Sequence, residues 1–135
     1  MKKSTVIIVE DDEITALNLN MSLQKHGYDV IAVCSDASQA LESLNTNKPE
    51  IVIIDISLQE SSDGIELAKI VRSKYDTPFI YLTSYSDDDI IHQAKLTEPY
   101  GYIVKPFNPN SLHATIQMAL FKYDMENSRK DNINS

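Results

Sequence analysis

Residues 51–57 read IVIIDIS: five aliphatic side chains with one aspartate, Asp55, set among them. A strand with one wet face alternates polar and apolar residues. A near-unbroken β-branched run belongs instead to a strand covered on both faces, and a parallel sheet flanked by helices supplies that covering. Val6–Val9 (VIIV) and Phe79–Thr83 (FIYLT) have the same character. Tyr28–Val33 is more alternating and suits a sheet edge, and Gly101–Val104 is a fifth, shorter run.

Between these runs the helical segments carry start and stop signals. The first spans about Glu13–His26 and stops at Gly27, a glycine suited to the left-handed residue that ends a helix. Asp36 with Gln39 three residues on forms a capping-box pattern, and that helix must end before Pro49. Asp63-Gly64 precedes Ile65–Arg72. Ser86 followed by Asp87, Asp88 and Asp89 sets a cap and three acids at one helix N-terminus, where the dipole favours them. Asn108-Pro109 is a cap followed by proline at the first helical position, opening a helix to about Met125. Strand and helix alternate five times, and right-handed crossovers make this a doubly wound (βα)5 α/β domain. It is expected over residues 1–125, with residues 126–135 (ENSRKDNINS) as a polar tail or the start of a linker.

Composition agrees with one globular domain. The 135 residues are 42% hydrophobic and 24% charged, enough for a core and too few for two ordinary domains. The net charge of −8 argues against direct contact with nucleic acid, whose phosphates are bound by many Lys and Arg side chains. The single cysteine, Cys34, excludes an internal disulfide and sits in an apolar stretch as a small buried hydrophobe. The N-terminus reaches acids after only four apolar residues, too short for a signal peptide or membrane span, so a cytoplasmic protein is expected.

In such a sheet, ligands bind beyond the carboxyl ends of the strands. Glu10, Asp11 and Asp12 follow the first strand, Asp55 closes the third, Thr83 the fourth, and Lys105 follows the fifth. Each has an ordinary alternative: Asp12 and Glu13 as helix caps, Thr83 as a strand-end residue, Lys105 as a solvated loop residue, Asp55 as a loop cap. Taken together they are harder to explain that way. Carboxylates about 4–5 Å apart repel by roughly 3–4 kcal/mol per pair at an effective dielectric near 20, and stay ionised only beside strong positive charge. Mg²⁺ accepts one or two carboxylates and leaves positions for phosphate oxygens, and the lysine adds a fixed charge. Such a set suits phosphoryl transfer to a carboxylate.

The stretches VIIVEDDE, IVIIDISLQESSDGIEL, FIYLTSYSDD and GYIVKPF resemble, in order and from about Val6 to Tyr123, the receiver domain of two-component response regulators, the chemotaxis-regulator fold. The resemblance implies the flavodoxin-like strand order 2-1-3-4-5 and a signalling module, not a turnover enzyme. It implies Asp55 as phosphoryl acceptor, Asp11 as direct Mg²⁺ ligand, Glu10 placing the metal through water, and the Ser57 backbone carbonyl completing the protein ligands. Lys105 would pair with the acceptor and then the phosphoryl group, across a cis bond to Pro106. Thr83 would bind the phosphoryl group, and Tyr102 would turn inward as Thr83 moves. The face of the fourth helix, fifth strand and fifth helix (α4-β5-α5) would change shape, with Ile90 or Ile91 on it or half-buried at its rim. The implied partners are a histidine kinase or phosphotransfer protein upstream, an output partner or domain downstream, and a second copy through that face.

Three positions depart from the family pattern. Gln59 stands where proline is usual, Glu98-Pro99 where a Gly-Ala turn is usual, and the bulky Tyr85 occupies a position that affects water access and so self-dephosphorylation. Two other classes remain open from sequence. One is an aspartate-nucleophile phosphatase of the haloacid dehalogenase type, which places its nucleophile and second acid on the first strand. The other is a degenerate receiver acting only as a binding module.

Overall fold

A computed structural model describes residues 3–58, 63–84 and 88–134, with side chains up to residue 129. Five strands, β1 (Thr5–Val9), β2 (Asp29–Cys34), β3 (Ile51–Asp55), β4 (Phe79–Thr83) and β5 (Tyr102–Val104), alternate with five helices. These are α1 (Glu13–Lys25), α2 (Ala37–Thr46), α3 (Asp63–Tyr75), α4 (Asp88–Leu96) and α5 (Pro109–Asn134). Every strand pair is parallel and the order is β2-β1-β3-β4-β5, the doubly wound arrangement expected.

The β-branched runs are buried because helices cover both sides of the sheet. Val6, Ile8, Ile53 and Ile80 pack on Leu19 and Leu23 of α1 and on Leu112, Ile116 and Ala119 of α5. Their neighbours in sequence point the other way: Ile7, Val9, Val52, Ile54 and Tyr81 meet Leu44 of α2, Ile65 and Val71 of α3, and Ala94 of α4. Each fully buried aliphatic side chain contributes about 1.5–3 kcal/mol. Every residue of β3 and β4 is buried, whereas β2 lies at the edge with a half-exposed run, and Cys34 is buried at its end.

The start signals act as read. Asp12 accepts from the Thr15 N–H at 3.0 Å as the cap of α1, and Gly27 takes φ +87° after it. Asp36 accepts from the Gln39 N–H at 2.8 Å, while Gln39 Oε1 accepts from the N–H of Ser35, one residue before the cap. Asn108 Oδ1 accepts from the N–H groups of Asn110 and Ser111 at 2.8 and 3.2 Å. Ser86 and Asp87, expected to cap α4, lie outside the described residues.

The expected end of α5 at Met125 is corrected: the helix continues to Asn134. Two long-range bonds hold its second half. The Tyr123 hydroxyl donates to the Asp76 carbonyl at 2.8 Å, and the Tyr100 hydroxyl donates to Glu126. Neither bond joins neighbours in sequence, so composition alone made the segment look like a tail. Asp76, at φ +46° after α3, and Glu98, at φ +54° after α4, are non-glycine residues in the left-handed region. The conformation costs about 1–2 kcal/mol at each. Each has its carbonyl held from a distance, Asp76 by Tyr123 and Glu98 by the Arg72 guanidinium. Glu98-Pro99 stands at the entry into β5, with Glu98 in this conformation.

Candidate functional site

Backbone bonds beyond the strand ends fix the rim. The Glu10 N–H donates to the Cys34 carbonyl at 2.9 Å, Ile56 N–H to Leu82 at 3.1 Å, and Lys105 N–H to Thr83 at 2.8 Å. The residues following β1, β3 and β5 are thereby tied to the adjacent strand ends. Lys105 is followed by a cis bond to Pro106.

Lys105 Nζ donates to Glu10 Oε1 at 2.7 Å and to Asp55 Oδ2 at 3.2 Å, and the Ser57 N–H donates to Asp55 Oδ1 at 3.0 Å. Glu10 and Asp55 are 2% and 4% exposed, whereas Asp11 faces solvent. One carboxylate oxygen from each of Glu10, Asp11 and Asp55 lies within 4.8 Å of the others. Burial, reinforced by the neighbouring Asp55, pushes Glu10 up to about 8 against the opposing pull of Lys105. Burial acts to lower Lys105, but its bond to Glu10 and the charges of Asp55 and Glu10 outweigh it and hold the ammonium above its ordinary range. Glu10 Oε2 is buried with no donor among the described residues. An oxygen left this way forfeits a hydrogen bond's worth of stabilisation, and one ammonium is outnumbered by the acidic groups around it. An all-oxygen set with an orphaned oxygen and surplus negative charge fits a hard divalent cation.

Gly64, the second residue of α3, sets how closely that helix approaches. A Cβ there would lie 2.1 Å from the Asp55 carbonyl oxygen and 2.7 Å from that of Ile56. Only glycine lets the first turn of α3 rest against the end of β3, immediately behind the acceptor candidate.

The remaining expected residues divide between the rim and the face beside it. Ser57 stands exposed in the turn after β3, and Thr83 is buried as the last residue of β4, in register with Val104. Tyr102 opens β5, half-buried, with its ring centroid 6.1 Å from that of Tyr81. Ile90 and Ile91 are both half-buried against the same core. Asp12 serves α1 as its cap, the ordinary reading, and hydrogen bonds from Thr15 lower its carboxyl below the usual range. Gln59 and Tyr85 lie outside the described residues.

Arg72 escaped the sequence reading. From α3 it donates through Nε to the Thr97 carbonyl at 3.0 Å and through its other arm to Glu98, with its guanidinium 5.9 Å from the Phe79 ring centre and 5.8 Å from that of Tyr100. Tyr81 and Thr97 share a hydroxyl bond at 2.6 Å. The C-terminal end of α4 is thus anchored to α3 and β4. An arginine on a helix carries no local mark of a contact 25 residues away.

The fold and site define a doubly wound α/β domain with three acids and a lysine on its strand-end rim, and comparison with known proteins gives the family. The response regulator receiver domain matches residues 6–117, and the chain belongs to that family. It is 30% identical to the transcriptional regulatory protein PdtaR of Mycobacterium tuberculosis over 87% of this chain and 57% of that protein. It is 28% identical to the phyllosphere-induced regulator PhyR of Methylorubrum extorquens over 86% of this chain and 43% of that one. The chain therefore spans about half the length of these curated relatives. Among solved structures, the receiver domain of a modulated diguanylate cyclase from Desulfovibrio desulfuricans is 34% identical with a TM-score of 0.87, covering 93% of this chain and 99% of that one. No helix among the described residues is long and apolar enough to cross a membrane.

Proposed function

We propose that Asp55 accepts a phosphoryl group from the phosphohistidine of a histidine kinase or phosphotransfer protein, and that the modified rim changes the face formed by α4, β5 and α5. The observation that carries this reading is the Lys105 ammonium bridging Glu10 and Asp55 at 2.7 and 3.2 Å. An Asp55 carboxylate oxygen attacks phosphorus, the P–N bond breaks, and its electron pair stays on the imidazole nitrogen. The acyl phosphate left on Asp55 is the signal. Little covalent chemistry is asked of the protein beyond the nucleophile; the rest is positioning and charge. Ser57 N–H and Lys105 hold the two oxygens of Asp55 in place, and Lys105 also meets the incoming charge. Glu10, Asp11 and Asp55, with the Ser57 carbonyl, would hold Mg²⁺, which supplies neutralisation of the phosphoryl oxygens.

The acyl phosphate adds about 1.5–2 negative charges and three acceptor oxygens. The Thr83 hydroxyl follows them by a short shift of the chain after β4, and Tyr102 fills the space that shift vacates, a local charge event biasing a two-state element. Because Arg72 and Tyr81 pin the C-terminal end of α4, the displacement falls on its N-terminal end. The reader of this face is a separate partner or a further domain. With a net charge of −8, this domain itself contacts neither nucleic acid nor an anionic membrane surface.

The test is incubation with acetyl phosphate and Mg²⁺ followed by intact mass measurement. One phosphoryl mass is expected on the parent and none on Asp55→Asn. Equal labelling of the variant would overturn the assignment.

A further inference from the structure

We propose that the cleft at the N-terminal ends of β3 and β4 binds a small organic cation, an amine carried on a flat apolar body. The cleft holds about 600 Å³. Pockets that take small molecules span roughly 300–1,000 Å³. It lies at the opposite end of the strands from Asp55, between the segments that lead into β3 and β4 and the stretch of α5 from Gln117 to Asp124. Part of its lining is apolar: Pro49 and Pro78 are buried, Leu120 is half-buried, and Phe121 is 65% exposed. The fold itself holds this lining in place. Both prolines restrict their backbone, and the Tyr123 hydroxyl ties α5 to the Asp76 carbonyl at 2.8 Å. A cleft fixed in this way spares a ligand the entropy of ordering it.

Charge decides the class of ligand. Glu50, Asp76 and Asp124 line the cleft from three separate segments, and among the described residues Lys48 is the one cation beside them. The side chains of these four make no hydrogen bond or ion pair among the described residues. Lys74 and Lys122, close by in sequence, lie instead over the rings of Tyr75 and Tyr100, at 5.4 and 5.5 Å from the ring centres. Three carboxylates against one ammonium leave the lining negative, on a chain of net charge −8, and this repels anions. A small metal ion is excluded by spacing, because among the described residues the three acids close enough to share one ion are Glu10, Asp11 and Asp55. Acids spread around an aromatic and proline surface suit a larger cation. Its charge meets the carboxylates while its carbon body covers Phe121, whose ring face adds cation–π attraction. The inference stands apart from the phosphoryl reading, because it uses no residue of the rim.

Titration of the full chain with tryptamine, followed by amide NMR shifts, tests it, with tryptophol and indoleacetate as neutral and anionic carriers of the same ring. Tryptamine should give saturable shifts at Glu50, Asp76 and Leu120 to Asp124, and leave the amides of Asp55 and Lys105 in place. Tryptophol should bind about fivefold or more weaker, and indoleacetate should not saturate. Asp76→Asn combined with Asp124→Asn should lower the tryptamine affinity about fivefold or more, since asparagine tolerates the left-handed conformation that Asp76 holds. Phe121→Ala should do the same with unchanged melting, because that side chain is largely exposed. Glu13→Gln combined with Glu42→Gln removes as much charge from exposed positions elsewhere and should bind like the parent. Absence of saturation by tryptamine up to about 10 mM, equal binding of either control, shifts centred on Asp55, parent-like affinity in either cleft variant, or weakening in the Glu13 and Glu42 variant would each overturn the proposal.

Discussion

Asp55 is held at both oxygens, by the Ser57 N–H at 3.0 Å and by Lys105 at 3.2 Å, so its orientation is set by the chain itself. Glu10 stores the electrostatic tension of the site. It binds its proton more tightly in the folded chain than in the unfolded one, so between about 4.5 and about 8 the native state carries the extra proton. Stability therefore falls as pH rises through that window. The melting midpoint of the metal-free protein should drop across it, and Glu10→Gln should flatten the dependence. An unchanged slope in that variant would place the titration on another group. Gly64 makes a separate prediction. Gly64→Ala drives a methyl group into the Asp55 carbonyl and should cost about 2–3 kcal/mol, read as a lower urea midpoint at constant m-value. At this scale the acids and the lysine were legible because strand ends are a fixed address in a parallel sheet. The close approach at Gly64 was not, because a Asp-Gly pair at a helix start looks the same with or without a backbone against it.

Among the elements, α4 and β5 carry the expected response. Thr83 ends β4 in register with Val104, and Lys105 N–H bonds back to the Thr83 carbonyl, so a shift at Thr83 is felt directly in β5. Thr83→Ala should still be phosphorylated but leave the environment of Tyr102 unchanged, as followed by aromatic NMR shifts on activation. A parent-like shift in that variant would break the proposed coupling between the two residues. The starts of α1, α2 and α5 were readable from Asp12, Asp36 and Asn108, since a cap acts within three residues of chain. The end of α5 was not, because Tyr123 to Asp76 and Tyr100 to Glu126 are contacts between distant segments. A polar helix tethered at two points and a polar tail share a composition.

For the whole molecule, the order β2-β1-β3-β4-β5 brings the ends of β1, β3, β4 and β5 onto one rim. Residues 10, 55, 83 and 105 thus come together through topology, and no pair of them is close in sequence. The doubly wound fold was legible because IVIIDIS, VIIV and FIYLT can be buried only between two helical layers, and those layers are present on either side of the sheet. The anchoring of α4 by Arg72 was hidden for the converse reason, since nothing local distinguishes that arginine from a solvated one. The central claim is that the phosphoryl group lands on Asp55. Borohydride reduction of the protein after incubation with acetyl phosphate and Mg²⁺, followed by peptide mass mapping, tests it most directly, because the hydride converts an aspartyl phosphate to homoserine and leaves a free aspartate intact. Homoserine at position 55 and at no other aspartate is the predicted result; homoserine at Asp11 or Asp12, or at no position, would contradict it.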